Sequence, residues 1–83
     1  NDKGKPGKAL EYYNKAKTIC ETLGMQNTPG YADLLYTMAG LYHQTKNGKL
    51  AGENYRKAYY INRGLGRQAE ADEALKKAES LGY

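Results

Sequence analysis

A chain of 83 residues, 40% of them hydrophobic and 27% charged, suffices for one domain with a thin core and holds no apolar run near the ~20 residues of a membrane-spanning helix. Its single cysteine, Cys20, excludes an internal disulfide and a multi-cysteine metal site and agrees with a reducing, cytoplasmic setting. Thirteen Lys and Arg against nine Asp and Glu give +4, a balance that suits nucleic acid, an anionic surface or an acidic partner.

The chain begins at Asn1 with neither an initiator Met nor an apolar signal segment, so it reads as an excerpt or a processed product. Residues 1–7 read as a flexible leader, because Lys3, Gly4, Lys5, Pro6 and Gly7 lack the order of a phosphate-binding loop and follow no strand. A first helix opens at Pro6-Gly7. Ala9, Tyr13, Ala16, Ile19 and Leu23 recur at spacings of three and four, which marks one apolar face, and Gly24 supplies the left-handed residue that ends the helix. Thr28-Pro29 is a cap and first-turn pair, so a second helix runs from about Pro29 to Thr45 with Ala32, Leu35, Met38, Ala39 and Tyr42 inward. The turn pair Asn47-Gly48 stops it. A third helix spans Lys49 to Asn62 and ends at Gly64 and Gly66. A fourth runs from about Gln68 to Leu81, offering Ala71, Leu75, Ala78 and Leu81 for packing.

The first and third helices are copies of one unit. Shifting the chain by 42 positions superposes Ala9, Glu11, Tyr13, Lys15, Ala16, Ile19, Leu23, Gly24 and Gln26 on identical residues, nine of the eighteen positions from 9 to 26, where chance gives about one. Small alanines beside large Tyr and Ile side chains allow close helix approach. Four helices joined by short links predict an all-α, antiparallel array of helical hairpins, and no strand pattern competes. Residues 8–66 form the repeat helices. Residues 67–83 carry three basic and four acidic residues, against ten and five in 1–66, and read as a separate capping helix.

The stretch LYHQTKNGKLAGENYRKAYYI, Leu41 to Ile61, resembles the helix-turn-helix core of a tetratricopeptide repeat. Leu35 stands at the large residue of its first helix, Met38-Ala39 at the Leu-Gly pair and Tyr42 at the aromatic. Ala51, Tyr55 and Ala58 stand at the alanine, aromatic and second alanine of its second helix. The 42-residue period and the Thr-Pro helix start are most similar to kinesin-light-chain-like repeats. The family's turn glycine, the aromatic after it and the terminal proline are Lys46, Gly48 and Arg63 here, and the two backbone-holding asparagines of that subgroup are Tyr36 and Thr37. The resemblance implies an α-α superhelix that binds a protein or peptide segment on its concave face, without catalysis or cofactor. The first helix then lacks its partner helix, so its apolar stripe is exposed unless the array is longer or copies associate through their repeat ends.

On the register of that family, Asp33, Tyr36, Thr37, Gly40, His43 and Gln44 fall on the concave face of the second helix and are the candidate partner-binding residues. Every one of the nine aromatics is a tyrosine, whose hydroxyl needs water or a partner and so favours half-buried and groove positions. His43 and Cys20 lie on different helices with no carboxylate fixed beside either, which argues against nucleophilic catalysis. The alternative is a nucleic-acid-binding domain that tracks phosphates along Lys8, Lys15, Arg56 and Lys57. Glu11 and Glu53 interrupt that stripe at helix-neighbour spacing, so a salt-bridged outer face is the stronger expectation. A purely structural segment of a longer array is the third reading.

Overall fold

The structure, a computed structural model, describes residues 6–83; of the predicted leader only Pro6 and Gly7 fall within it, and they open the first helix. The described chain folds as four helices, α1 (Pro6–Thr22), α2 (Pro29–Gln44), α3 (Gly48–Gly64) and α4 (Gln68–Ser80), with no strand among the described residues. This is the all-α arrangement of antiparallel helical hairpins that the patterning predicts and the tetratricopeptide resemblance implies.

Local chemistry sets each boundary. The Thr28 side chain accepts the Tyr31 amide at 3.2 Å, and Pro29 at the first helical position has no amide to leave orphaned. At the other ends, all four helices close with the same paired bonds. Met25 N–H reaches the Cys20 carbonyl at 2.8 Å, and Asn47, Arg67 and Tyr83 reach Tyr42, Asn62 and Ala78 in the same way at 2.8, 2.8 and 2.9 Å. This closure requires a left-handed residue just past the helix. Gly24, Gly66 and Gly82 supply it, but after α2 the residue is Lys46, with φ of 63°. The sequence places the α2–α3 break at Asn47-Gly48, whereas Lys46 makes the turn and Gly48 is already the first residue of α3. A β-carbon in this conformation costs about 1–2 kcal/mol, and the two closing carbonyl bonds offset it.

The repeat is visible in the backbone. Leu23 and Leu65 donate to Ile19 and Ile61 at 3.0 Å each, and Gly24 and Gly66 donate to Glu21 and Arg63 at 3.2 and 3.1 Å, so the 42-residue shift carries over hydrogen bond by hydrogen bond. It stops one residue past the glycines, after Met25 and Arg67 donate to Cys20 and Asn62 at 2.8 Å each. The α1–α2 link is residues 23–28 and the α3–α4 link only 65–67, so Gln26 lies in a loop while its match Gln68 opens α4. That identity has no structural counterpart.

Two layers of side chains form the core. Tyr31 and Leu35 of α2 meet Ala58 of α3 and Ala74 of α4, and Ala39 of α2 meets Ala51 and Tyr55 of α3 and Ala78 of α4. Contacts that advance along α2 while retreating along α3 make that pair antiparallel, and α4 runs alongside α2 in the same direction. The expected inward residues of α2 are buried except Tyr42, which is half-buried; on α4, Ala74 is buried where Leu75 and Leu81 are only partly so. Alanines at 71, 74 and 78 let α4 lie close to α3, and this approach turns Leu75 away from the centre.

Helix α3 packs against both α2 and α4, whereas α1 packs mainly against α2. Ala51, Tyr55 and Ala58 are therefore buried, while their counterparts Ala9, Tyr13 and Ala16 are half-buried. Of the stripe expected to be exposed, only Ile19 is, at 59%, and Leu23 just past the end of α1 is 66% exposed. Glu11 and Glu53, expected to salt-bridge the basic stripe of Lys8, Lys15, Arg56 and Lys57, form no ion pair among the described residues; α1 carries Lys17–Glu21 at 3.6 Å instead. Exposed pairs at this spacing are worth only ~0.3–0.5 kcal/mol, too little to fix two long side chains.

Candidate partner-binding groove

The parallel helices α2 and α4 form the walls of a groove floored by α3. Arg67 fastens its leading end. As the cap residue of α4 it sends one guanidinium nitrogen, Nη1, to Asn62 Oδ1 at 3.0 Å, Asp33 Oδ1 at 3.3 Å and the Pro29 carbonyl at 3.4 Å. The other, Nη2, lies 3.7 Å from Glu70 Oε2. One side chain thus joins the start of α2, the end of α3 and the start of α4, and fixes how far apart the walls stand.

One helical turn further on, the Tyr36 hydroxyl donates to Glu73 Oε2 at 2.7 Å across the groove. Its ring meets Tyr55 edge-on, with centroids 5.2 Å apart. Burial, then the Glu73 hydrogen bond and charge, raise the Tyr36 phenol well above the ordinary tyrosine range, and burial followed by the same carboxylate raises Tyr55. Outside the groove, Tyr31 donates to Glu21 Oε2 at 2.8 Å. Its phenol is pushed up to about 12 by burial and then by Glu21, while the Tyr31 hydrogen bond is the main cause holding the Glu21 carboxyl below its usual value.

Two clefts open along the groove. The leading one, about 160 Å³, is lined by Asp33, Tyr36, Asn62, Glu70 and Glu73. The trailing one, about 80 Å³, is lined by His43, Tyr55, Lys77, Ser80 and Leu81. The groove is therefore polarised. Three carboxylates against the single guanidinium of Arg67 make its leading end acidic although the chain carries +4, and Lys77 makes its trailing end basic.

Of the residues predicted to bind a partner, Asp33 and Tyr36 line the leading cleft and His43 the trailing one. Thr37 and Gln44 are exposed and line neither. Gly40 is half-buried, and a β-carbon there would sit 3.5 Å from the Tyr55 hydroxyl. Sequence reasoning missed Asn62, Arg67, Glu70, Glu73 and Lys77. Only the Glu-rich start of α4 hinted at the acidic wall, and nothing local pairs it with α2.

The opposite surface of α3 has another character. Arg56 lies 6.0 Å from the Tyr59 ring centre and 5.9 Å from that of Tyr60, and Arg63 donates to the Tyr59 hydroxyl at 3.2 Å. Tyr60 is 58% exposed. Cys20 packs beside Tyr31 and Leu35, while His43 stands twelve residues further along α2, roughly 18 Å at 1.5 Å per residue. No helix of the described residues is long and apolar enough to cross a membrane.

The sequence profile of the tetratricopeptide repeat family matches residues 32–64, a stretch that begins in the first turn of α2 and ends with α3. No curated protein and no solved structure matches the chain significantly.

Proposed function

We propose, on the premise that residues 32–64 form a tetratricopeptide repeat, that this chain is a non-catalytic protein-interaction module gripping a partner segment in the groove between α2 and α4. Repeats of this family typically mediate protein–protein contact. The observation that carries the reading is the groove itself: two parallel helices held apart by Arg67 and Tyr36–Glu73, with polar and tyrosine side chains facing the gap. Such a surface supplies hydrogen bonds to an extended or helical segment and aromatic area for its side chains. Asp33, Tyr36 and His43 are the contacts, with Thr37, Gly40 and Gln44 beside them on α2. The separation of Cys20 from His43 supports a binding role over nucleophilic catalysis. The kinesin-light-chain-like subtype is favoured by the 42-residue offset of α1 from α3 and by Thr28-Pro29, and a cytoplasmic setting by the lone free thiol. The half-covered face of α1 fits association with a further helix, a second copy included.

The test is a pair of substitutions, Tyr36→Ala and His43→Ala, measured against peptides selected on the wild-type chain from a random displayed library. The reading expects both to weaken peptide binding at unchanged helicity by circular dichroism. Undiminished binding in both removes it.

The basic and aromatic surface of α3 supports a second reading. Arg56 and Arg63 beside Tyr59 and the exposed Tyr60 are the combination that tracks a single strand by charge and stacking. Binding to oligonucleotides that falls steeply with salt and ignores peptide competitors selects it over the groove.

A further inference from the structure

Three features of the leading cleft remain unexplained by what holds the helices together. First, Glu73 has no ion-pair partner among the described residues: Arg67 serves Asp33 and Glu70, and Glu73 accepts only from the neutral Tyr36 hydroxyl among them. Secondly, Asn62 is only 2% exposed, and the Arg67 bond to Oδ1 fixes which way round its amide stands. Its amide nitrogen, a two-hydrogen donor, makes no hydrogen bond to the described residues; since no buried side-chain nitrogen or oxygen among them lacks a partner, that nitrogen opens onto the cleft, which Asn62 lines. Thirdly, the cleft's volume of about 160 Å³ equals roughly five waters, the room of one long side chain. An acidic wall, an amide donor open to the cleft and the face of Tyr36 thus surround a space open to the groove.

We infer that this cleft is a socket for a lysine or arginine side chain of the bound segment, its cationic head set between Glu73 and Asp33 while Asn62 donates to a backbone carbonyl of the same segment. The Tyr36 ring adds an aromatic face for the cation. The charge sense is specific. Three carboxylates against one guanidinium attract a cation and repel an acidic side chain, so the segment is selected by a basic residue although the chain as a whole is basic. Towards the trailing cleft, Lys77 and His43 place the opposite preference, so the segment lies with its basic residue at the Arg67 end. Glu70 and Asp33 both hold Arg67, at 3.7 and 3.3 Å, so Glu73 is the carboxylate without a cation that meets the incoming head, and Asp33 adds its second oxygen from the Arg67 side.

The inference rests on the groove reading, and the experiment separates the two. Peptides selected from a random library on the wild-type chain are sequenced, and their affinities are measured for wild type, Glu73→Gln, Asp33→Asn and Tyr36→Ala. Both isosteric variants keep an oxygen for Tyr36 and Arg67, so the fold is retained; circular dichroism checks it. The expected result is a Lys or Arg at one fixed place in the selected peptides, an affinity loss of about tenfold in Glu73→Gln, and a similar loss when that peptide residue becomes Gln. Peptides that need Tyr36 yet lack a basic residue, or that bind Glu73→Gln as well as wild type, overturn the socket and leave the groove standing. Peptides indifferent to Tyr36→Ala as well overturn both.

Discussion

Replacing Arg67 with methionine keeps most of its stem and removes the guanidinium that joins α2, α3 and α4. Asp33 and Glu70 are exposed and lose little, because water replaces the cation they contact. Asn62 is different: its buried Oδ1 accepts from Arg67 at 3.0 Å, and a buried acceptor left without a partner costs about 1–3 kcal/mol. The Pro29 carbonyl bond at 3.4 Å is long and adds a few tenths at most. The expected destabilisation is therefore about 2 kcal/mol, or roughly 10 °C in Tm for a domain of this size. Urea unfolding followed by circular dichroism measures it, with an unchanged slope showing that the unfolded state is the same. A second variant, Asn62→Leu, removes the acceptor itself, so in that background Arg67→Met loses only the weak contacts. If Arg67→Met costs less than about 0.5 kcal/mol, or costs as much in the Asn62→Leu background, Arg67 does not hold the groove through Asn62.

Three further outcomes follow from the geometry. Lys46→Gly removes a β-carbon from a left-handed position and raises stability by about 1 kcal/mol; a lower urea midpoint refutes that reading of the α2–α3 turn. Thr28→Ala deletes the α2 cap and costs about 1 kcal/mol, which the same measurement checks. The buried phenols make the fold sensitive to alkali. Because folding raises the Tyr31 pKa from 10.0 to about 12 and raises those of Tyr36 and Tyr55 too, their contribution is complete below pH 10. It is lost as pH climbs through the folded-state values. Phenolate absorbance of Tyr36→Phe lacks a late-titrating component of wild type, and an unchanged titration curve counts against the Tyr36–Glu73 bond.

Much of this architecture is legible in the residues because its determinants are local. Gly24 and Gly66 end helices by backbone conformation, Thr28 and Pro29 begin one by hydrogen bonding, and the shared Ala-Tyr-Ala spacing sets the packing face of α1 and α3. The details that escape are those that depend on how neighbours stack. Lys46 takes a left-handed turn because the α2–α3 link is three residues long and its closing bonds require it; a Lys gives no warning of that, and Asn47-Gly48 gives a false one. The groove escapes for a related reason. Tyr36 meets Glu73, and Asp33 meets Arg67, across 37 and 34 positions, between two helices that are not successive. Their stagger depends on link lengths: the α3–α4 link is shorter than α1–α2, so the 42-residue shift that aligns α1 with α3 does not align α2 with α4. The repeat register picks out Asp33, Tyr36 and His43, which line the clefts, together with Thr37, Gly40 and Gln44, which do not, and it is silent on the residues opposite them on α4.

The most direct test of the account is a map of amide chemical-shift changes when a library-selected peptide is titrated into the isotope-labelled chain. Shifts that concentrate on Asp33, Tyr36 and His43 of α2, on Glu70, Glu73 and Lys77 of α4, and on the Asn62 side-chain amide are the predicted result. Shifts confined to Arg56, Tyr59, Tyr60 and Arg63 on the far side of α3 would contradict it.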